Sequence, residues 1–312
     1  NLYGYTCGAL RITGYHYFFL NYSIVSKTIE LESNETITID SNPDFWKIHY
    51  DWFWAVEIAE KGMDKEEYKN LSLDIRLSDE SLKGKKHITC AKTRRAGWSY
   101  LVHSMVMRDV AITDPRTLNF KLDYIIASKE DYVSDLFDKV LTTKSYLDRE
   151  TDYMFKHFYD RYDTKTRIRA SEKDSEGVEI KTGGEAIGVV VNKNAQKVRG
   201  KGVYKIFAEE FGVFPAGAKA LASILPLVEE GGRVRGMFIG FGTGGEATDD
   251  ISAIQECFNK PSAFNMMEFN NSIFEDKATH TGFFVPCMYT NRLYMDLNGN
   301  PDLYGALEHQ LE

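Results

Sequence analysis

The sequence predicts an α/β fold with a mostly parallel central sheet flanked by helices, on three observations. Residues 87–91 are apolar and β-branched, the basic turn Lys92-Thr93-Arg94-Arg95-Ala96-Gly97-Trp98-Ser99 follows, and Leu101, Val102, Met105 and Val106 then recur at helical spacing. Residues 203–210, VYKIFAEE, read as a strand that ends in paired carboxylates. Residues 236–246, GMFIGFGTGGE, read as a strand that runs into a Gly/Thr turn. Strands that each end in phosphate- or metal-competent residues suit an open sheet whose ligands sit beyond the strands' C-terminal ends.

The other elements follow in chain order. Residues 2–39 alternate aromatic and polar side chains, with YHYFFLNYSIV at 15–25, and read as strands of a hairpin or small sheet. Asn42-Pro43 marks a turn, and residues 45–62 read as an amphipathic helix whose stripe of Trp46, Trp54, Ala55 and Ile58 is core. Residues 64–86 are charged and weakly periodic, a helix fragment and surface loop. After the basic turn and its helix, Asp114-Pro115 gives a stop, 117–128 a buried strand, and 129–149 a helix with Val133, Leu136, Phe137 and Val140 on one face. This alternation implies parallel strands joined by right-handed crossovers. Residues 168–202 read as short β segments broken by Gly177, Gly183-Gly184 and Gly188. Phe214-Pro215 precedes a helix carrying Leu221, Ile224, Leu225 and Leu227, which Gly231-Gly232 ends. Residues 251–259 are helix-like, and aromatic-rich loops lead to a helix start near Pro301.

Bulk properties exclude several classes. The 312 residues are 43% hydrophobic and 27% charged, ordinary for a globular chain with a substantial core. No apolar run approaches membrane-spanning length, and residues 1–30 show no basic-then-apolar signal pattern. A formal net charge of −8 argues against coating nucleic acid with the whole surface, though not against touching phosphates through a small patch. Two basic clusters exist: Lys83, Lys85, Lys86, Lys92, Arg94 and Arg95, then Lys193, Lys197, Arg199, Lys201 and Lys205. Most of these read as solvated surface charge with some nucleotide neutralisation. Cys7, Cys90, Cys257 and Cys287 form no C-x-x-C pair and read as reduced, mostly buried thiols. Asp296, Asn298 and Asn300 open like a calcium loop, but Leu307 stands where its twelfth-position Glu is needed, so calcium is rejected.

A strand, a tight basic turn and a helix N-terminus together make an anion site, because unpaired amides and the helix dipole point into the turn. Against the phosphate-loop pattern G-x-x-x-x-G-K-[ST], Gly97 and Ser99 fit, Lys92 replaces the first glycine and Trp98 replaces the lysine. Gly97 lets the backbone approach phosphate, Ser99 can coordinate Mg²⁺, and Lys92 can neutralise phosphate from the far end of the loop. In 203–210, one acid can hold the metal while the next orients water.

KTRRAGWS, FAEEFGVFP and GFGTGGE, in that order, resemble the ATPase domain of the large terminase subunit of tailed bacteriophages, the DNA-packaging motor. The resemblance implies a P-loop NTPase fold of RecA/ASCE type, with a β-rich N-terminal region and a small lid. Its divisions would be 1–80 beside the nucleotide, 81–250 as the ATPase core, and 251–312 as a lid and linker towards a nuclease domain that this chain is expected to lack. It implies ATP and Mg²⁺ as cofactors, with Lys92, Thr93, Arg94, Arg95, Ala96, Gly97, Trp98, Ser99 and Thr243 on the nucleotide. It also makes Ser99 and Glu209 the metal side, Glu210 the catalytic carboxylate, and Gly242-Thr243-Gly244-Gly245 the motif that couples hydrolysis to movement. The metal-side acid is usually aspartate, and Glu209 is one methylene longer. Arg94, Arg95 and Arg199 compete as the arginine that stabilises the transition state. The partners implied are double-stranded DNA, the portal protein, the small terminase subunit and further copies in a ring on the procapsid, in the host cell cytoplasm and without a membrane. Two rivals stand beside this reading. One is a helicase-like remodelling ATPase, against which Phe211-Gly212 follows the paired acids. The other is a nucleotide-binding fold that has lost catalysis, for which Trp98 and Glu209 speak.

Overall fold

In the computed structural model the described residues are 4–8, 10–30, 35–112, 120–151, 164–191, 202–214, 217–243, 252–271, 279–289, 294–296, 299–302 and 304. A seven-stranded sheet organises them. Numbered along the chain, its strands are β1 (Ile88–Lys92), β2 (Leu122–Ala127), β3 (Arg167–Lys173), β4 (Glu179–Val190), β5 (Lys205–Glu209), β6 (Met237–Gly242) and β7 (Phe283–Val285). Their spatial order is β7-β1-β6-β5-β2-β4-β3, and every neighbouring pair is parallel except β3 with β4. The fold class is therefore the expected α/β one.

Among the described residues, six helices of eight or more residues flank the sheet: α1 (Gly14–Tyr22), α2 (Lys47–Lys61), α3 (Trp98–Ala111), α4 (Glu130–Glu150), α5 (Gly217–Ile224) and α6 (Ser252–Asn259). Successive strand residues point to opposite faces. Ile125, Ala127, Phe207, Ile239 and Phe241 accordingly enter a core shared with α1 to α4, while Tyr124, Ile126, Ile206, Ala208 and Phe238 enter a second core with α5 and α6. Burial on both faces explains why the inner strands read as continuous apolar runs. No described helix is long and apolar enough to cross a membrane.

Several sequence expectations are corrected. Residues 15–22 are helix α1, not a strand, between the hairpins Tyr5–Cys7 with Leu10–Ile12 and Val25–Glu30 with Thr36–Ser41. The Thr13 side chain caps α1 by accepting the His16 amide at 3.2 Å, and Tyr15, Phe18, Phe19 and Tyr22 share one face at helical spacing. Residues 167–190 form one hairpin rather than short broken segments. Gly183 and Gly184 sit inside β4 because a Cβ there would collide with the Val110 and Asp109 carbonyls at the end of α3. Gly231-Gly232 turn a two-residue hairpin, Glu229–Glu230 with Arg233–Val234, instead of ending a helix. The stop at Asp114-Pro115 lies outside the described residues; α3 closes at Ala111.

The basic clusters are also redistributed. Lys83, Lys85 and Lys86 precede β1, Lys92 ends it and Arg94 and Arg95 follow it, so the strand separates one sequence cluster into two ends of the sheet. Lys205 is not a surface cation: it is 0% exposed and donates to Tyr15 Oη at 2.5 Å and to Asp109 Oδ2 at 2.9 Å. Lys121 pairs with the same carboxylate, and these cations hold Asp109 well below the usual carboxylate range despite its burial. This ion cluster ties α1, α3 and β5 together at the end of the sheet remote from Glu209.

Candidate active site

The site is built where adjacent strands β1, β6 and β5 end. Lys92 is the last residue of β1, and the turn 93–97 leads directly into α3. Two left-handed residues make the turn tight: Arg95 at φ 65° and Gly97 at φ 73°, the helix N-cap. Glycine removes the Cβ clash that this conformation carries. Among the described residues, none from Thr93 to Ser99 gives its amide to a backbone carbonyl, so the turn presents the donors an anion needs.

The second wall comes from β5. Glu209 ends that strand, and Glu210 turns out of it in the left-handed region, φ 47° and ψ 46°. Ser99 Oγ donates to Glu209 Oε1 at 2.8 Å, across 110 residues of sequence. Lys92 Nζ donates to Glu210 Oε1 at 3.2 Å. Thr243, just beyond β6, gives both its amide (3.1 Å) and its hydroxyl (3.2 Å) to Glu210 Oε2. Lys92, Ser99, Glu209, Glu210 and Thr243, spread over 152 positions of sequence, thus converge on one crevice.

Glu209 is 9% exposed, and its Oε2 has no hydrogen-bond partner among the described residues. Burial pushes its pKa up to about 7. The Ser99 hydrogen bond and the Lys92 charge work against that rise, and the Glu210 charge adds to it. A buried carboxylate with an unpaired oxygen beside a serine hydroxyl is a hard-oxygen donor pair suited to Mg²⁺, which needs few protein ligands and keeps water and phosphate for the rest. No group of three His, Cys, Asp or Glu side chains suited to a metal occurs among the described residues. Thr93 Oγ1 is a second buried polar atom in the turn without a partner among them.

Other expected residues lie elsewhere. Trp98 turns away from the crevice into the core, 2% exposed, with its ring 5.0 Å from Trp52 and 5.8 Å from Phe283. Only its backbone N–H remains at the helix N-terminus. Arg94 and Arg95 stand exposed on the turn. The Ala96 side chain is buried, and its carbonyl lies 3.2 Å from His49 Nε2. Arg199, Gly244 and Gly245 lie outside the described residues.

Nothing in the sequence singles out His49. It sits inside an aromatic helix stripe, and only the contact across 47 residues marks it. Its ring stacks on Trp46 at 4.8 Å, and Trp46 in turn lines a cleft of about 500 Å³ with Phe45, Lys47, Tyr50 and Asn300.

No protein-family model and no curated protein matches the chain. Solved structures do. The large terminase ATPase domain of Thermus phage P74-26 matches at 14% identity and a TM-score of 0.43, over 71% of this chain and 88% of that one. A variant of the same domain matches at 15% and 0.38, over 53% of this chain and 62% of that one. Both are structures of a phage large terminase ATPase domain. The large terminase of bacteriophage HK97 matches at 9% and 0.37, over 68% of this chain and 42% of that one. The large terminase of a thermophilic bacteriophage, in complex with ADP, matches at 14% and 0.33, over 53% of this chain and 35% of that one. The chain thus spans less than half the length of these last two proteins. The chemistry assigned to it stands on its own geometry.

Proposed function

We propose that this chain is an ATP-hydrolysing motor domain of large-terminase type, coupling Mg-ATP hydrolysis to translocation of double-stranded DNA into a procapsid. The observation that carries the reading is the convergence of the Ser99–Glu209 pair and the Lys92–Glu210–Thr243 set at the ends of adjacent parallel strands, beside a turn whose amides meet no backbone carbonyl among the described residues. Ser99 and Glu209 would hold Mg²⁺, which supplies charge neutralisation at the phosphates. Lys92 and the amides of Thr93 to Ser99 bind and orient the phosphates. Phosphate recruits Lys92, so Glu210 is released from one of its partners while Thr243 still holds Oε2. Glu210 then orients the attacking water and takes its proton. Thr243, bonded to Glu210, would report the γ-phosphate to β6. Arg94, Arg95 or Arg199 supplies the cation for the transition state. The cleft beside Trp46 has the size and aromatic walls that suit a base. The portal protein, the small terminase subunit and further copies in a ring are the partners that such a motor works with, in the host cytoplasm.

Glu210→Gln tests the mechanism. The amide oxygen still accepts from Thr243, but the carboxylate base is gone. Binding of ATP with Mg²⁺ should persist while DNA-stimulated hydrolysis falls by about 100-fold or more. Hydrolysis at the native rate rejects the role of Glu210.

A further inference from the structure

We infer that His49 is a positioning residue for the phosphate-binding turn, fixing the direction in which the Gly97 amide points. His49 lies on α2, 4% exposed, and its Nε2 is 3.2 Å from the Ala96 carbonyl oxygen. A carbonyl only accepts, so Nε2 carries a proton, and burial, which lowers the ring's pKa to about 4, keeps the ring neutral and leaves Nδ1 bare. Nδ1 has no partner among the described residues, so the ring's one polar function is the bond to the turn. Aromatic neighbours hold the ring's plane: Trp46 stacked at 4.8 Å and 19°, Phe19 edge-on at 5.6 Å and 85°, and Trp98 edge-on at 6.2 Å and 68°.

The Ala96 carbonyl and the Gly97 N–H belong to one trans peptide, so they point to opposite sides. Drawing the carbonyl towards α2 therefore turns the Gly97 N–H away from α2. That amide gives no bond to a backbone carbonyl among the described residues. Gly97 also sits at φ 73°, with neither a Cβ nor a helical bond to hold the peptide. Without the bond to His49, the peptide is free to flip. With it, one donor of the turn is fixed before any ligand arrives, so less ordering is left for binding to accomplish. Only the identity of the ligand rests on the ATPase reading.

The test uses the whole chain in native, His49→Phe and His49→Gln forms. Phenylalanine keeps the ring and its stacking but loses the donor; glutamine returns an N–H. The first readout is conformational exchange of the 93–99 amides without nucleotide, followed by ¹⁵N relaxation dispersion, with amide hydrogen exchange of α4 as the internal reference for folding. Loss of one buried bond of this kind should raise the population of the flipped turn by about tenfold in His49→Phe, leave α4 unchanged, and return to within about threefold of native in His49→Gln. The second readout is calorimetric binding of AMP-PNP with Mg²⁺, expected to weaken by about tenfold in His49→Phe and to recover in His49→Gln. Turn exchange unchanged in His49→Phe overturns the inference, as does a glutamine variant no better than phenylalanine. Should phenylalanine also expose α4, native against His49→Gln decides: near-native turn exchange supports the role and a tenfold rise overturns it. If the native chain binds no AMP-PNP while turn exchange still responds, the ATPase reading falls and the positioning role stands. If native and His49→Phe bind equally, the reverse holds.

Discussion

His16→Phe isolates the cost of a buried base. His16 is 0% exposed on α1, stacked on Phe45 at 5.2 Å and on Phe53 at 5.1 Å, and neither ring nitrogen has a partner among the described residues. Burial lowers its pKa from 6.5 to about 3, and the nearby His49 adds to the shift. With the folded value depressed, the native fold binds fewer protons than the unfolded chain below pH 6.5. The residue's contribution is therefore complete above pH 6.5 and is lost progressively as pH falls towards 3. Between pH 7.5 and 5.5 that loss is about 1.4 kcal/mol. Phenylalanine fills the same space and does not titrate. Asp51, raised to about 6 by burial, and His103, lowered to about 3, also titrate but are common to both proteins and cancel in the comparison. Urea unfolding of native chain and variant at the two pH values should show the variant gaining about 1.4 kcal/mol on the native chain at the lower pH. A difference that does not change with pH would refute the argument.

Two further substitutions probe the turn. Trp98→Ala removes a ring packed on Trp52 and Phe283 and should cost about 3–5 kcal/mol in denaturant unfolding. A loss below about 1 kcal/mol would show that the core does not depend on it. Gly97→Ala has ordinary space, since its new Cβ lies 3.7 Å from His49 Nε2, so its cost is the left-handed backbone, about 1–2 kcal/mol by the same assay. Unchanged stability there would contradict the turn conformation.

Legibility in the sequence follows from how local each signal is. β1, α2, α3, α4 and β6 are readable because their periodicity and end signals lie within a dozen residues, as with Gly62 closing α2 at φ 76°. Helix α1 reads as a strand because Tyr15, Phe18, Phe19 and Tyr22 satisfy a helical period inside a run dense enough in aromatics to look like alternation. β7 carries three residues and gains its place only by pairing with β1, which no local pattern announces. In the site, motif chemistry names Lys92, Ser99, Glu209, Glu210 and Thr243 one by one, and the structure brings them together. Their pairing is not legible, because each bond spans 33 to 118 residues. Lys205 looks like one more surface lysine, since nothing near it in sequence reveals that Asp109 and Tyr15 meet it at the start of β5.

The most direct test of the central claim is calorimetric binding of a non-hydrolysable ATP analogue with Mg²⁺ to the native chain and to Lys92→Ala. Binding is the right readout because turnover can require a neighbouring subunit's arginine. The native chain should bind, and Lys92→Ala, stripped of the cation paired with Glu210, should not. Equal binding by both proteins, or none by the native chain, would contradict it.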